Sequence, residues 1–230
     1  MEILREEKSP VRMMICVPST GDWKADFGIS LVQMSVYISG KLFQDGQQRE
    51  IIINDKRSSM ISTSREECVE DALSRECTHL LFMDSDQGFP PDTAHRLMAA
   101  KKPVVAANIA VKQVPSFPNA RGKGPTPFGV PITSETWKRG LERVWRVGSG
   151  IMLIECEVLK RLGHGLFEQR WVPEVGRYMG EDWNFCKLCE EAGIEIFIDH
   201  DLSRFVTHVG NFPFGHQHIP AEEEEERKAA

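Results

Sequence analysis

Two carboxylates one residue apart stand at Asp84-Ser85-Asp86, directly after the apolar run Leu80-Leu81-Phe82-Met83. A buried strand ending there delivers both side chains to an exposed edge, where they can share a divalent ion and its shell of oxygen ligands. Such an ion reverses the local charge, so that an anionic diphosphate can approach, and it stabilises the charge that grows on a departing diphosphate. Asp-x-Asp is common in surface turns, so its place in the chain gives it weight: Gln87-Gly88-Phe89-Pro90-Pro91 turns the chain at once into a further element. A second set of groups lies at Met179-Gly180-Glu181-Asp182-Trp183. Carboxylates in a first helical turn are favoured by the helix dipole, which is expected to keep Asp182 ionised at neutral pH; ordinary N-terminal capping accounts for the pair equally well. Beside an acceptor hydroxyl, Asp182 would take its proton as a general base while Trp183 offers an apolar face to a sugar or base ring. The third element is His208 in Val206-Thr207-His208-Val209-Gly210. Its plainer role is a core side chain, but imidazole is also a good third ligand for an ion that two carboxylates leave unsaturated.

Positioning these groups requires a framework, and the periodicity supplies one. Met13 to Val17 reads as a buried strand entering the turn Pro18-Ser19-Thr20-Gly21, and Phe27, Leu31, Met34 and Ile38 recur at helical spacing over 27 to 39. Glu50 to Ile53 is a second strand. Ser64 with Glu67 is a capping-box pattern opening a helix through Cys68, Val69, Ala72 and Leu73. His79 to Met83 is a third strand, Pro90-Pro91-Asp92 starts a helix to about Ala100, and Val104 to Ala107 is a fourth strand. Strands alternating with helices predict an α/β fold, a mostly parallel sheet with helices on both faces and its ligands at the carboxyl ends of the strands. Residues 111 to 140 break the pattern: Pro115, Pro118, Pro125, Pro127 and Pro131 mingle with Gly122, Gly124 and Gly129. A stretch of this kind serves as a functional lid or a disordered loop, and its Lys112, Arg121 and Lys123 make it basic. Beyond it, Val144 to Glu155 reads as a strand interrupted by Gly148-Ser149-Gly150, followed by a helix near Glu157 to Leu162. A further helix runs from Gly180-Glu181-Asp182 through Glu191, and Ile194 to Ile198 and Phe205 to Val209 are the last strands. Asn211 to His218 either closes over the ligand or forms a mobile terminus.

Composition bounds these expectations. The chain has 230 residues, 41% of them hydrophobic, enough for one substantial core: a single domain over 1 to 220 is expected. The formal charge is −6, and Glu222 to Glu226 with Arg227 and Lys228 place half of it on residues 221 to 230, an acidic tail expected to stay solvated. That balance gives no sign of a nucleic-acid protein. The first residues lack the apolar core of a secretory signal and no window spans a bilayer, so a soluble, cytoplasmic protein without a membrane segment is expected. The six cysteines are expected to be reduced thiols, with Cys186 and Cys189 simply one turn apart on a helix.

Taken together and in order, these features resemble the GT-A glycosyltransferases, especially the family 2-like members, over roughly residues 12 to 212. The resemblance implies a GT-A, Rossmann-like fold and transfer of a sugar from a nucleoside-diphosphate sugar, UDP-linked by preference, with Mn²⁺ or Mg²⁺ as cofactor. It implies donor contacts from Pro18, Thr20, Arg65, Asp84, Ser85 and Asp86, and metal ligands among Asp84, Asp86 and His208. It also implies acceptor contacts from Asn108, Ser149, Gly150 and Trp183, with Asp182, assisted by Glu181, as the base of an inverting reaction. Asp55, after the second strand, is a candidate near the nucleobase. The acceptor stays open among a glycan, a small molecule and a hydroxymethylated DNA base of the kind that phage-type enzymes modify, for which the basic loop would suit the phosphate backbone. A nucleotidyltransferase is the alternative enzyme, disfavoured by the lack of a Gly-rich, Lys/Arg-bearing loop after the first strand. A non-catalytic nucleotide-sugar binding protein is the third reading.

Overall fold

Alternation of side chains along a strand lets one strand feed two cores at once. The computed structural model, which describes residues 10–45, 49–173, 175–210 and 212–220, is organised around that property. In β1 (Val11–Ser19), Met14 and Cys16 point to one face and Met13, Ile15 and Val17 to the other, all of them buried. α1 (Ala25–Asp45) follows, then β2 (Arg49–Arg57), α2 (Ile61–Ser74), β3 (His79–Met83), β4 (Gln87–Gly88), α3 (Thr93–Ala99) and β5 (Val104–Ala106). After the small hairpin β6 (Arg121–Gly122) and β7 (Val130–Pro131) come β8 (Leu141–Val144), β9 (Ile151–Glu155) and α4 (Cys156–Leu162). A second hairpin, β10 (Arg170–Val172) and β11 (Arg177–Met179), leads into α5 (Glu181–Glu191). The described chain closes with β12 (Ile196–Asp199), α6 (His200–Ser203), β13 (Thr207–Val209), β14 (Pro213–Phe214) and a 3-10 turn at His216–His218. The acidic tail, residues 221 to 230, and Asn211 lie outside the described residues.

The central sheet has seven strands in the order β2-β1-β3-β9-β5-β12-β8. β2, β1, β3, β5 and β12 run in one direction; β9 and β8 run against it. This is the α/β, mostly parallel sheet expected from the sequence, with helices on both faces: α2, α4 and α5 cover the core containing Met14, Phe82 and Phe185, while α1, α3 and α6 cover the core containing Ile15, Phe27 and Leu97.

Several local expectations are corrected. The stretch from Val144 to Glu155 is not one interrupted strand: β8 is an edge strand against β12, and β9 lies between β3 and β5. The apolar run 151 to 154 is buried from both sides, whereas β8 keeps Leu141 and Arg143 exposed. α2 begins at Ile61, so Ser64 is not a cap but a buried side chain one turn inside the helix, its hydroxyl 3.5 Å from the Lys56 carbonyl. Residues 111 to 140 contain the β6–β7 hairpin and are fastened to the body, with Arg121 N and O bonded to Arg146 O and Trp145 N. Nor are all six cysteines thiols. Cys16 in β1 and Cys68 in α2 face one another in the first core and are joined as a disulfide across 52 residues. Cys77, Cys156, Cys186 and Cys189 are free and buried, and burial pushes the Cys156 and Cys186 thiols up to about 12. No helix among the described residues is long and apolar enough to cross a membrane.

Candidate active site

The carboxyl ends of the parallel strands define one edge of the sheet, and β9, running the other way, brings the start of its strand to that same edge. Gly148-Ser149-Gly150 therefore meets Asp84: Asp84 N donates to the Gly150 carbonyl at 2.8 Å, and Ala107 N to that of Ile151 at 3.0 Å. The chain then makes a tight turn through Ser85 into β4, with Gln87 N bonded to Asp84 O at 3.2 Å. β4 pairs with β13, and Val209 N donates to the Asp86 carbonyl at 2.7 Å, which sets His208 beside Asp86 although 122 positions separate them in sequence. α5 starts on the same edge, anchored by Asn184, whose amide donates to the carbonyls of Gly165 and Leu166 at 3.1 Å each.

These elements enclose a cleft of about 260 Å³, lined by Arg65, Asp84, Gly148, Ser149, Gly150, Glu181, Asp182 and His208. Two glycines keep it open. A Cβ at 148 would lie 2.6 Å from Asn119 Nδ2 and 3.3 Å from Asp182 Oδ2; one at 150 would lie 3.0 Å from Asp84 Oδ2.

The charges in the cleft are tightly coupled. Arg65, 3% exposed, donates through Nη2 to Asp84 Oδ1 at 2.9 Å and reaches Glu181 Oε1 at 3.5 Å through Nη1. Its guanidinium also lies 5.6 Å from the centre of the Phe82 ring. Burial pushes the Asp84 carboxyl above its usual range, against the pull of Arg65, and the nearby Asp86 and Glu181 add to the rise. Asp86 goes the other way. Burial opposes its ionisation, but the hydrogen bonds and charges of His208 and Lys112 outweigh that and hold it at about 2. Lys112 ion-pairs with Asp86 Oδ2, and His208 Nε2 stands 3.4 Å from Oδ1. His208 Nδ1 donates to the Ala110 carbonyl at 3.1 Å, and a carbonyl can only accept, so Nε2 faces Asp86, as an N–H donor when the ring is charged and as a free lone pair when it is neutral.

Asp182 accepts from Trp183 N at 2.7 Å, yet its pKa is raised to about 6. Burial is the main cause and the Glu181 carboxylate the next, partly offset by Arg65. The helix dipole expected to favour its ionisation is thus outweighed by desolvation, because the helix start is inside the cleft and not on open surface.

Among the residues expected to bind ligand, Arg65, Asp84, Asp86, Ser149, Gly150, Glu181, Asp182 and His208 come together here. Ser149 Oγ is buried without a hydrogen-bond partner among the described residues. Others do not join the cleft. Asn108 is fully buried, its amide donating to Ile132 O and Ser134 Oγ and accepting from Ala120 N, so it ties down the Pro-rich segment and offers no free polar atom to a ligand. Trp183 stands over Arg146, whose guanidinium carbon is 4.8 Å from its ring and 4.0 Å from that of Trp145. Pro18 is buried at the end of β1, Thr20 is exposed after it, and Ser85 holds Lys24 N with its carbonyl at 3.0 Å. Asp55 accepts from Ser19 Oγ at 2.7 Å, Trp23 Nε1 at 3.3 Å and Arg57 Nε at 2.6 Å, forming a polar cluster at the end of β2. His216 Nε2 donates to Asn108 O at 2.7 Å and β14 pairs with β13, so the terminal segment packs beside the site. Sequence reasoning missed Gln87, which is buried and donates to Asp86 Oδ1 at 3.2 Å, and Asn119, which lines the cleft. The adjacency of Gln87 to the Asp-x-Asp was the available signal for the first; nothing local marked the second.

The metal expectation is met only in part. Among the described residues no three His, Cys, Asp or Glu side chains converge at ligand distances, and Asp84 Oδ1 is engaged by Arg65. Asp86 and His208 remain a fitting pair. Two ligands at neighbouring corners of a small octahedral ion are roughly 3 Å apart, close to their 3.4 Å separation. The ring nitrogen opposite is already oriented by a carbonyl, as in many metal-binding histidines.

The sequence matches no protein-family model and no curated protein. Among solved structures it is similar to A197 from STIV, with a TM-score of 0.58 and 14% identity, over 93% of this chain and 99% of that one. It is also similar to a mutant of Drosophila beta-1,4-galactosyltransferase 7 in complex with manganese, UDP-Gal and xylobiose, with a TM-score of 0.44 and 12% identity, over 96% and 80% of the two chains. Identities this low speak to architecture alone. The first likeness extends the α/β arrangement described above over nearly the whole of both chains, and the second adds nothing to it.

Proposed function

We propose that this chain is a metal-dependent glycosyltransferase of GT-A type, using a nucleoside-diphosphate sugar, with its folded residues acting as one catalytic domain. The supporting observation is the convergence on one cleft of a buried Arg65–Asp84 pair, the Asp86–His208 pair and a carboxylate, Asp182, poised near neutrality. In this reading Arg65 and Asp84 orient the nucleotide side of the donor, and Asp86 and His208 hold Mn²⁺ or Mg²⁺. The ion supplies charge neutralisation for the diphosphate and its leaving oxygen. Asp182 accepts the proton of the acceptor hydroxyl as that oxygen attacks the anomeric carbon from the face opposite the diphosphate, an inverting displacement. Glu181 raises the basicity of Asp182 by like charge, and Ser149 and Gly150 line the acceptor side. A pKa of about 6 leaves Asp182 mostly ionised at pH 7 while keeping it basic enough to help.

The acceptor we favour is a glycan or small hydroxyl compound. The cations invoked for a DNA acceptor are engaged within the protein: Lys112 with Asp86, Lys123 with Glu190 at 2.7 Å, and Arg121 over Phe117. Purified protein incubated with a panel of UDP- and GDP-sugars and Mn²⁺ is expected to release nucleoside diphosphate slowly, and Asp86→Ala to abolish that release while melting normally. Equal turnover in Asp86→Ala, or stabilisation by UTP but not UDP, would sink the assignment, the latter in favour of nucleotidyl transfer.

A further inference from the structure

The positive charge against Asp86 in this structure belongs to the chain itself. Lys112 Nζ ion-pairs with Oδ2, while the other oxygen faces His208 Nε2 at 3.4 Å. Lys112 reaches that position from the first residues of the Pro- and Gly-rich segment. Ala110, two residues before it, bridges to Pro118 and receives the His208 Nδ1 bond, so Lys112 and His208 are held to one another through the same stretch of backbone. Its aliphatic stem crosses Gly210, where a Cβ would come to 3.3 Å of Lys112 Cδ. The ammonium end is not sealed in: the Lys112 side chain is 35% exposed and that of Asp86 26%. A lysine stem with four rotatable bonds can swing without disturbing the backbone.

Two cations on the two oxygens of one carboxylate repel each other strongly. An ion arriving alone between Asp86 and His208 must therefore displace Lys112 or bind against its charge. An ion arriving with a diphosphate meets a different situation, because the diphosphate offers Lys112 a new anionic partner within reach.

We infer that Lys112 is a resident counter-cation of Asp86, which it leaves for the donor's diphosphate when metal and nucleotide bind together. This rests on the donor reading above and adds to it a coupling between the two ligands. Metal alone binds weakly, nucleotide strengthens it, and by linkage metal strengthens nucleotide by the same factor. In the loaded site Lys112 stabilises the leaving diphosphate, so one side chain keeps the empty site neutral and helps the filled one.

The test measures Mn²⁺ binding to the full chain by electron paramagnetic resonance, with and without UDP, in wild type, Lys112→Met and Asp86→Ala. The exposure of Lys112 makes the first substitution compatible with folding, which a melting curve checks. The expected result is that Lys112→Met binds Mn²⁺ alone about tenfold more tightly than wild type, binds UDP in saturating Mn²⁺ about tenfold more weakly, and loses most of the UDP–Mn²⁺ coupling. Lys112→Arg, which keeps the charge, should retain part of that coupling. Equal Mn²⁺ affinity in wild type and Lys112→Met overturns the inference while leaving the donor site standing, as does tighter Mn²⁺ with unchanged UDP binding. Absence of both Mn²⁺ and UDP binding in wild type overturns the donor reading and this inference with it.

Discussion

At the scale of single residues, the proposed chemistry turns on Asp182 and Arg65. Because the Asp182 pKa is raised to about 6, the rate of transfer should rise through that pH and level off above 7. Asp182→Asn should abolish the rising limb and lower the rate roughly 10²–10⁴-fold with little change in donor affinity; a limb unchanged in that variant would assign the titration elsewhere. The same shift carries a stability consequence of opposite sense. A carboxyl whose folded pKa lies above its unfolded value binds its proton better in the folded state, so its contribution is present at low pH and is lost as the pH rises through about 6. Arg65 lowers the Asp182 pKa, so Arg65→Met should move the kinetic limb above 6. It should also destabilise the fold by about 3 kcal/mol through the unpaired Asp84 and Glu181; chemical denaturation alongside pH–rate profiles measures both. Much of this scale was legible in the sequence. The Asp-x-Asp at the end of an apolar strand, Arg65 before it and Asp182 and His208 after it are residue types whose chemistry is local. The ionisation of Asp182 was not legible, because the dipole depends on the helix alone while desolvation depends on the β9 turn and Glu181 around it. Asn108 was misjudged for the same reason: a polar residue after a strand looks available until its partners, 12 to 26 residues downstream, are seen to use every polar atom of its side chain.

At the scale of elements, the site stands on packing beneath the cleft. Phe82 of β3 meets Phe167 edge-on at 5.0 Å, and Phe167 stacks on Phe185 of α5 at 4.9 Å, all three fully buried. This column fixes the strand that delivers Asp84 against the helix that delivers Asp182. Phe167→Ala should therefore cost about 3–5 kcal/mol and also slow turnover at temperatures where the variant is still folded; a stability loss with kcat untouched would mean that the column does not position the two carboxylates. A second brace is Arg146, 3% exposed between Trp145 and Trp183 and paired with Glu190 at 2.8 Å; against the cost of burial, the hydrogen bonds of Lys123, Trp145 and Arg146 and the Arg146 charge hold Glu190 at about 2. Strands with dense apolar runs, 13 to 17 and 79 to 83, were readable because both of their faces are covered. The separation of β8 from β9 was hidden because a glycine-rich turn and a continuing apolar pattern look alike whether the chain bends back into the same strand or crosses to another. The start of α2 was hidden by a capping-box pattern that tertiary burial of Ser64 overrode.

At the scale of the whole molecule, one sheet with two cores puts the ends of five like-directed strands on a single edge, and the two opposed strands add their leading turns to it. That architecture followed from strand and helix alternation. The disulfide did not: Cys16 and Cys68 become neighbours only because alternation on β1 turns Cys16 toward the face that α2 covers. Thiol titration of the denatured, unreduced chain should count four free cysteines, rising to six after reduction, and six from the outset would contradict the Cys16–Cys68 bond. The charges of the Pro-rich segment also changed meaning at this scale, since in sequence they made a basic loop and in the fold they close ion pairs to Asp86 and Glu190.

The claim on which all three scales converge is that Asp84-Ser85-Asp86 anchors a metal and nucleoside-diphosphate site. Thermal melting in UDP and Mn²⁺ together tests it most directly. A ligand near a hundred times its dissociation constant stabilises by about 2.7 kcal/mol, which for a chain of this size raises Tm by roughly 5–10 °C. The wild-type protein should show that rise with both ligands present and little with either alone, and Asp86→Ala should show none. A Tm unmoved by the pair, or moved equally in Asp86→Ala, would contradict the account.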